Sequence, residues 1–200
     1  MATNSALLIV FFLCITLTIE LKFSTGALLD IDGNHLNAAS YYNILPLDWG
    51  KSLGGISVRV AAPDGTLSVV LEWSKTFAGL PVSFSNVTAS SKVIERDDVV
   101  MISFVLTKNK NIFPWVLVYD ELAKVWFFST GSPIDYPGRQ VKNGIFRISY
   151  ANLGYKLVFC GDVNTSTCKD IGIYIDSAGN SRIAIDRPAM LVKFKKTRLF

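Results

Sequence analysis

The chain has 200 residues, which is the size of one ordinary domain or two small ones. Half of the residues are apolar, 12% are aromatic and only 18% are charged, so the chain can bury a sizeable core and is not disordered. The 14 glycines and 7 prolines exclude a collagen-like or low-complexity chain, and a net charge of +4 is too small to indicate nucleic-acid binding. A mean hydropathy of +0.35 is high for a soluble domain and indicates a local apolar segment.

That apolar segment lies at the beginning of the chain. Residues 6–19 read ALLIVFFLCITLTI without a charge, and this run is shorter than the roughly 20 residues that cross a bilayer core. Charged residues end the run, and the small residues Ser24 and Gly26 then provide a predicted cleavage site. The pattern predicts a secretory signal peptide, residues 1–26, and no second long apolar run follows. We therefore expect a secreted mature chain, residues 27–200, that is not held in a membrane.

The cysteines indicate the redox compartment. Removal of the signal peptide would take Cys14 with it and leave Cys160 and Cys168, an even pair that favours a disulfide in a secreted chain. In the chain-entropy model so short a loop stabilises the fold by about 2.5 kcal/mol. A metal pair is the alternative, but it lacks further ligands because His35 is the only histidine. We expect a disulfide, no metal and no cofactor.

Two tripeptides of the mature chain have the N-x-[ST] pattern of glycosylation acceptors, and they begin at Asn86 and Asn164. Both lie in polar stretches that are typical of turns. In a secreted protein this pattern predicts glycans on surface loops.

The mature chain is predicted to form strands. Apolar residues alternate with period two in several segments, such as residues 56–60 and 155–159, and no long pattern of helical period occurs. Many short strands favour a β-sandwich or a β-barrel. Apolar strand pairs also recur around residues 56–73, 102–119 and 155–175, and such a repeat of about 50 residues would fit a barrel with threefold pseudosymmetry.

Ordered motifs along the mature chain carry a family resemblance. They are LLDIDGNHL at residues 28–36, GLPVSFS at 79–85, YKLVFC at 155–160, CKDIGI at 168–173 and VKFKK at 192–196. Together they resemble the signatures of the plant Kunitz (soybean trypsin inhibitor) family. The resemblance implies an all-β chain with the β-trefoil fold, in which three pseudo-repeats of four strands close a short barrel with a hairpin cap. It also implies a single domain over residues 27–200.

The resemblance further implies a protease inhibitor rather than an enzyme. The family inhibits serine endopeptidases through one exposed, substrate-like loop that follows the GLPVSFS strand, which is residues 86–98 here. Because such a loop is ordered before binding, docking costs less entropy. The aligned scissile position falls on Ala89 or Ser90, beside Ser91, and small residues suit an elastase-like or subtilisin-like pocket. Lys92 and Arg96 would serve a trypsin-like pocket only in a shifted loop register.

Several departures from the family pattern concern this loop. Members usually carry two disulfides, and the first is missing because its positions fall near Gly65 and Lys108; Cys160–Cys168 corresponds to the second. The asparagine that braces the loop from the N-terminal segment is replaced by Ala38. The neighbouring Asn37 and Asn43 are expected to point the other way, and a glycan on Asn86 could obstruct a protease.

Other residue types give weaker signals. His35 could serve a hydrolase only with a nucleophile elbow, which is absent from the sequence. The acids Glu95, Asp97 and Asp98 are predicted to be solvated rather than to form a glycosidase pair. The DIDG segment at residues 30–33 lacks the spacing of a calcium loop. Four tryptophans without the Gln-x-Trp pattern of trefoil lectins are expected in the barrel core: Trp49, Trp73, Trp115 and Trp126.

The sequence therefore predicts a secreted, glycosylated, monomeric inhibitor of a serine endopeptidase, in the apoplast or the vacuole, with a role in plant defence. Two alternatives stay open. The chain could be a non-inhibitory storage, defence or ligand-binding protein on the same scaffold, or it could inhibit a papain-type cysteine protease through another surface.

Overall fold

The computed structural model describes residues 26–61, 65–88, 90–106, 111–163 and 166–199. The predicted signal peptide lies outside the described residues except for Gly26, as do Ala89, Lys108 and Asn164. The described part of the chain is built from strands and contains one short 3-10 helix, Pro133–Asp135. Among these residues no helix is long and apolar enough to cross a membrane.

Thirteen strands are found in the described residues. In chain order they are β1 Tyr41–Pro46, β2 Ile56–Val60, β3 Leu67–Leu71, β4 Val82–Asn86, β5 Val99–Val105, β6 Ile112–Asp120, β7 Val125–Thr130, β8 Val141–Asn143, β9 Phe146–Ala151, β10 Gly154–Phe159, β11 Lys169–Ile175, β12 Ser181–Ile185 and β13 Leu191–Thr197.

Six of these strands close a barrel, which we call the ring. Antiparallel pairing runs from β1 to β4, β5, β9, β10 and β13, and β13 pairs with β1 again. The longest ladder joins β1 to β13 in a register from Tyr41↔Thr197 to Pro46↔Val192. Inward positions alternate along the strands, so that Phe194 is fully buried between the half-buried Lys193 and Lys195.

Three hairpins form a cap at one end of the ring. They are β2–β3, β6–β7 and β11–β12, and β12 pairs with both β3 and β7. Each hairpin is preceded and followed by ring strands, which makes three units of β-trefoil type and confirms the predicted fold. The second unit has an additional short strand, because β8 pairs with β6 before β9 enters the ring. The apolar repeat seen in the sequence does not coincide with these three units. Its first member is a hairpin of the cap, whereas its second and third members each begin on a ring strand.

Aromatic side chains fill the core between the ring and the cap. Trp115 is 1% exposed, and its ring centroid lies 5.3 Å from that of Phe104 and 5.9 Å from that of Phe146. The expectation that all four tryptophans lie in the barrel core is wrong for Trp73, which follows β3 and is 57% exposed. Trp126 is half-buried and packs against the core. Trp49 is also half-buried, but it lies outside the core, and its ring centroid is 5.3 Å from the Lys195 ammonium.

A disulfide joins Cys160 and Cys168 across the β10–β11 connection, with the two Cα atoms 4.2 Å apart. This is the pair that the sequence predicted. At the position of the missing first disulfide, Gly65 has φ of +80° in the turn that leads into β3.

The topology determines where the loop after β4 lies. Because β1 leads into the first hairpin and β4 returns from it, the segments before β1 and after β4 lie at the end of the ring opposite the cap. The N-terminal segment, residues 26–38, therefore meets the loop between β4 and β5.

Candidate inhibitory loop

The loop between β4 and β5 is closed firmly at its foot. The last pair of the β4–β5 ladder is Asn86↔Val100, and the next backbone bond runs from Val87 N to Val99 O at 2.8 Å. The Asn86 side chain adds a second closure, because its Nδ2 donates to Asp98 Oδ2 at 2.9 Å. Both ends of the loop are therefore held at a fixed separation by the ring.

The returning half of the loop is bound by the N-terminal segment. Ile94 is fully buried; its amide donates to Leu36 O at 2.9 Å, and its carbonyl accepts from Leu28 N at 3.1 Å. Beside this contact, the amide of Ala38 donates to Lys92 O at 2.8 Å. Residues 92–94 thus lie along the N-terminal segment with their peptide groups paired, and they cannot change register without breaking these bonds.

Two tyrosines of the ring fasten the N-terminal segment in turn. The Tyr155 hydroxyl accepts from Leu29 N at 2.8 Å, and the Tyr150 hydroxyl donates to Ala27 O at 3.1 Å. Burial raises the pKa of Tyr155 above its usual value of 10.0, against a smaller opposing effect of the hydrogen bond from Leu29. The Tyr155 hydroxyl therefore stays neutral at physiological pH. The N-terminal segment is thus held by the loop through backbone bonds and by the ring through these two tyrosines.

The apex of the loop is exposed and less bonded. Ser90 and Ser91 are both exposed, and Ala89 lies outside the described residues. Ser91 supports the turn into the returning half, since its Oγ accepts from Val93 N at 3.1 Å and lies 3.2 Å from Val93 O. Among the described hydrogen bonds, none ends on the carbonyl of Ser90 or Ser91. Of the small residues predicted for the primary contact, Ser90 and the adjacent Ser91 are thus exposed and accept no described bond through their carbonyls.

The two basic residues of the loop are placed differently. Lys92 has an exposed side chain, but its carbonyl is the acceptor for Ala38. Arg96 is exposed in a turn in which Asp98 N donates to Glu95 O at 3.2 Å, and its guanidinium lies 6.0 Å from the Tyr150 ring. Neither residue lies at the apex.

The prediction that the loop acids are solvated holds for Glu95 and Asp97, which are exposed, but not for Asp98. Asp98 is half-buried, and its Oδ2 accepts from Asn86 Nδ2 and, also at 2.9 Å, from Glu95 N. Asp97 has φ of +62° and accepts from Ser149 Oγ at 2.7 Å. Sequence inspection missed Asp98 because nothing in its type or spacing distinguishes it from Asp97.

The position of the family's brace carries no polar side chain. Ala38 packs against the core and contributes only its backbone amide. The side chains of Asn37 and Asn43 bond elsewhere, to Ala39 N at 2.8 Å and to Gly79 O at 3.1 Å. The loop is therefore held without the expected asparagine.

No group of three or more potential metal-ligating side chains occurs in the part of the chain that the structure describes. The Asp30 carboxylate instead accepts from the backbone amides of Asp32 and Asn34, which is an ordinary turn. Asn86, which is predicted to be a glycosylation acceptor, is the last residue of β4, and Thr88 of its tripeptide is exposed.

Comparison with known proteins gives the same family over nearly the whole chain. A model of the legume Kunitz family, described as trypsin and protease inhibitor, matches residues 28–196. Kunitz trypsin inhibitor 4 from Arabidopsis thaliana is 31% identical and is covered over 91% of its length by 94% of this chain. Miraculin from Synsepalum dulcificum is 32% identical, with 86% of this chain and 84% of miraculin covered. Subtilisin inhibitor CLSI-II from Canavalia lineata is 31% identical, with 72% and 77% covered.

Solved structures agree with these relatives. A Kunitz type trypsin inhibitor from Cicer arietinum superposes with a TM-score of 0.74 at 26% identity, and the match covers 86% of this chain and 99% of the inhibitor. Soybean trypsin inhibitor in its complex with porcine pancreatic trypsin gives a TM-score of 0.69 at 25% identity, with the same coverage. The inhibitors named among these relatives act on proteases and are not enzymes. The chain belongs to the legume Kunitz family of trypsin and protease inhibitors.

Proposed function

We propose that the mature chain is a secreted inhibitor of a serine endopeptidase and that it presents the apex of the loop, residues 88–91, as a substrate-like segment. One observation carries the proposal: both halves of the loop are anchored, while the peptide groups of Ser90 and Ser91 accept no described hydrogen bond. A segment that is ordered before binding loses little entropy when it docks.

The carbonyl at the primary contact must be free, because the oxyanion hole of a serine protease binds that oxygen. The Lys92 carbonyl already accepts from Ala38, which argues against Lys92 as the primary contact. Ala89 or Ser90 is the better candidate. Their small side chains suit a shallow specificity pocket of elastase or subtilisin type, and one relative, from Canavalia lineata, is named as a subtilisin inhibitor.

A glycan on Asn86 would lie at the foot of the loop, because Asn86 is the last residue of β4. The bulk of the sugar would lie close to the apex, which a protease must approach. We therefore propose that the glycan modulates access of the protease to the loop.

The location and oligomeric state belong to the same proposal. The apolar run of residues 6–19 supports entry into the secretory pathway, which leads to the apoplast or the vacuole. One chain carries one substrate-like loop, and one loop occupies one protease. We therefore propose that the chain is a monomer and that it forms a complex with one endopeptidase.

The test is inhibition of subtilisin, elastase, chymotrypsin, trypsin and papain by the mature protein, with and without its glycans. We expect inhibition of subtilisin or elastase. Ala89→Arg or Ser90→Arg should create trypsin inhibition, whereas Ser177→Arg, a matched change in an exposed turn of the cap, should not.

Each other outcome has a definite meaning. If the deglycosylated protein inhibits none of the five enzymes, the proposal is wrong and the non-inhibitory alternative is preferred. If it inhibits papain and the apex variants leave that inhibition intact, a different surface binds the protease.

A further inference from the structure

Asp98 lies where the loop rejoins the ring, and one of its oxygens serves both halves of the loop. Oδ2 accepts from Asn86 Nδ2, at the end of β4, and from the amide of Glu95, in the returning half, each at 2.9 Å. Asp98 itself is half-buried directly before β5. A single carboxylate therefore links the outgoing strand, the returning segment and the following strand.

The bond to Glu95 has a consequence for the neighbouring residue. Glu95 and Asp98 also form a tight turn, in which Asp98 N donates to Glu95 O at 3.2 Å. With the amide and the carbonyl of Glu95 both fixed, the preceding peptide group is oriented so that the Ile94 carbonyl faces Leu28 N. The bonds at Glu95 thus connect Asp98 to the returning half of the loop, which is paired as far as the bond between Lys92 and Ala38.

The bonds at Asp98 are of the stronger kind. A hydrogen bond to an ionised carboxylate is roughly twice as strong as one between neutral groups. In the described contacts the carboxylate of Asp98 has no cation as a partner, whereas that of the adjacent Asp97 lies 3.6 Å from Arg96 Nε. The charge of Asp98 is therefore directed to the two N–H donors of the loop.

We infer that Asp98 is the positioning residue of the inhibitory loop and takes over the role that the alanine at position 38 cannot fill. The inference rests on the proposed function for its effect on inhibition, but not for its effect on loop order. Relatives of this family are expected to brace the loop from outside, by a side chain of the N-terminal segment. Here the brace comes from within the loop.

Three variants test the inference. Asp98→Ala removes both bonds. Asp98→Asn should keep both bonds in a weaker, neutral form, because they converge on one oxygen and an amide oxygen can take its place. Asp176→Ala is the matched control, since Asp176 also caps a turn by accepting from Ala178 N and Asn180 N, but in the cap hairpin β11–β12.

Two measurements are made on each variant: hydrogen exchange of the amides in residues 87–96, and the rate at which the target protease cleaves the loop. For Asp98→Ala we expect both rates to rise by about tenfold to a hundredfold, the range that a lost charge-assisted bond supports. The inhibition constant should weaken by a similar factor. Asp98→Asn, which keeps the oxygen but not the charge, should lie between wild type and Asp98→Ala, about threefold to tenfold above wild type. Asp176→Ala should lower thermal stability without changing the loop.

Unchanged exchange and cleavage in Asp98→Ala would overturn the inference. If wild type inhibits no protease, the proposed function fails, but hydrogen exchange still decides whether Asp98 orders the loop. If Asp98→Ala does not fold, Asn86→Ser removes the bond to Asp98, the bond that Asn86 Oδ1 accepts from Thr88 N, and the glycan. Exchange is then compared only in the returning half, residues 92–96, and Thr88→Ala, which removes the glycan acceptor alone, is the control. Faster exchange in Asn86→Ser but not in Thr88→Ala supports the inference, and equal exchange contradicts it.

Discussion

The amide of Ala38 donates to the carbonyl of Lys92 at 2.8 Å, so that the one lysine near the apex has a bonded peptide oxygen although its side chain is exposed. The ammonium group can contact a protease, but the carbonyl beside it is not available for an oxyanion hole.

We therefore predict that Lys92→Ala leaves inhibition of the target protease within about twofold of wild type, because a rim contact that lies outside the specificity pocket contributes little. Inhibition constants from progress curves measure this. Lys75→Ala, an exposed lysine in a turn of the first unit, is the control. A selective loss of trypsin inhibition in Lys92→Ala would instead identify Lys92 as the primary contact.

The proposed glycan on Asn86 can be tested with a change that keeps Asn86 itself. Thr88→Ala destroys the acceptor tripeptide but retains Asn86 and its bond to Asp98. We predict faster association with the protease and an unchanged dissociation rate, because steric bulk limits approach more than it alters contacts already made. Surface plasmon resonance measures both rates, and Thr88→Ser, which keeps the acceptor, should behave as wild type. An equal association rate in the two variants contradicts the prediction.

Two tryptophans should differ strongly in their contribution to stability. Trp115 is 1% exposed among three phenylalanines, and truncation of such a residue costs about 3 to 5 kcal/mol. Trp73 is 57% exposed, and its described ring contact is a cation–π contact in which the Arg59 guanidinium lies 5.9 Å from the ring centroid. Trp73→Ala should therefore cost at most about 1 kcal/mol. Urea unfolding of Trp115→Ala and Trp73→Ala measures the difference, and similar costs would argue against this packing.

Asp176 should make stability dependent on pH on the acid side. Burial raises its pKa, but hydrogen bonds from the Asn180 side chain and from the amides of Asn180 and Ala178 outweigh burial and lower the pKa below the usual 3.8. Because the folded state then binds fewer protons than the unfolded state, the stabilisation is complete above pH 3.8 and is lost as the pH falls through the folded value.

The expected difference between wild type and Asp176→Ala follows from the lowered pKa of Asp176. We expect the difference in unfolding free energy to be largest at about pH 6 and to shrink towards about pH 2.5. Urea unfolding at a series of pH values measures it. A difference that is independent of pH would mean that the carboxylate is not what stabilises the turn.

Much of the fold could be predicted, because its motifs and alternating strands are properties of residue type. The exposure of Trp73 could not be predicted, because it results from the close approach of two backbone segments. Gly54 N donates to Glu72 O at 2.7 Å, and a Cβ at Gly54 would lie 2.3 Å from Ser74 O. The chain turns away at this point and leaves Trp73 outside the core, although the apolar pattern continues through it. Strand β8 also escaped prediction, because its three residues have no apolar alternation.

The sequence predicts which residues form the candidate site but not the contacts that hold them. The motif at residues 79–85, which includes most of β4, gave the predicted start of the loop, and the small residues at the apex followed from counting. The bond between Ala38 and Lys92 joins two backbones and leaves no trace in residue type. The role of Asp98 depends on which of two adjacent carboxylates turns inward, and that depends on the positive φ at Asp97.

The ring also determines what a cut in the loop would produce. On the outgoing side, β4 stays paired with β5 over five residues, and on the returning side Ile94 stays bound to Leu28 and Leu36. The two pieces of a cut chain would therefore not diffuse apart, and hydrolysis would release little of the translational entropy that normally favours it. The cut and the intact forms would then have similar free energies, because the folded molecule keeps the new carboxyl and amino ends close together.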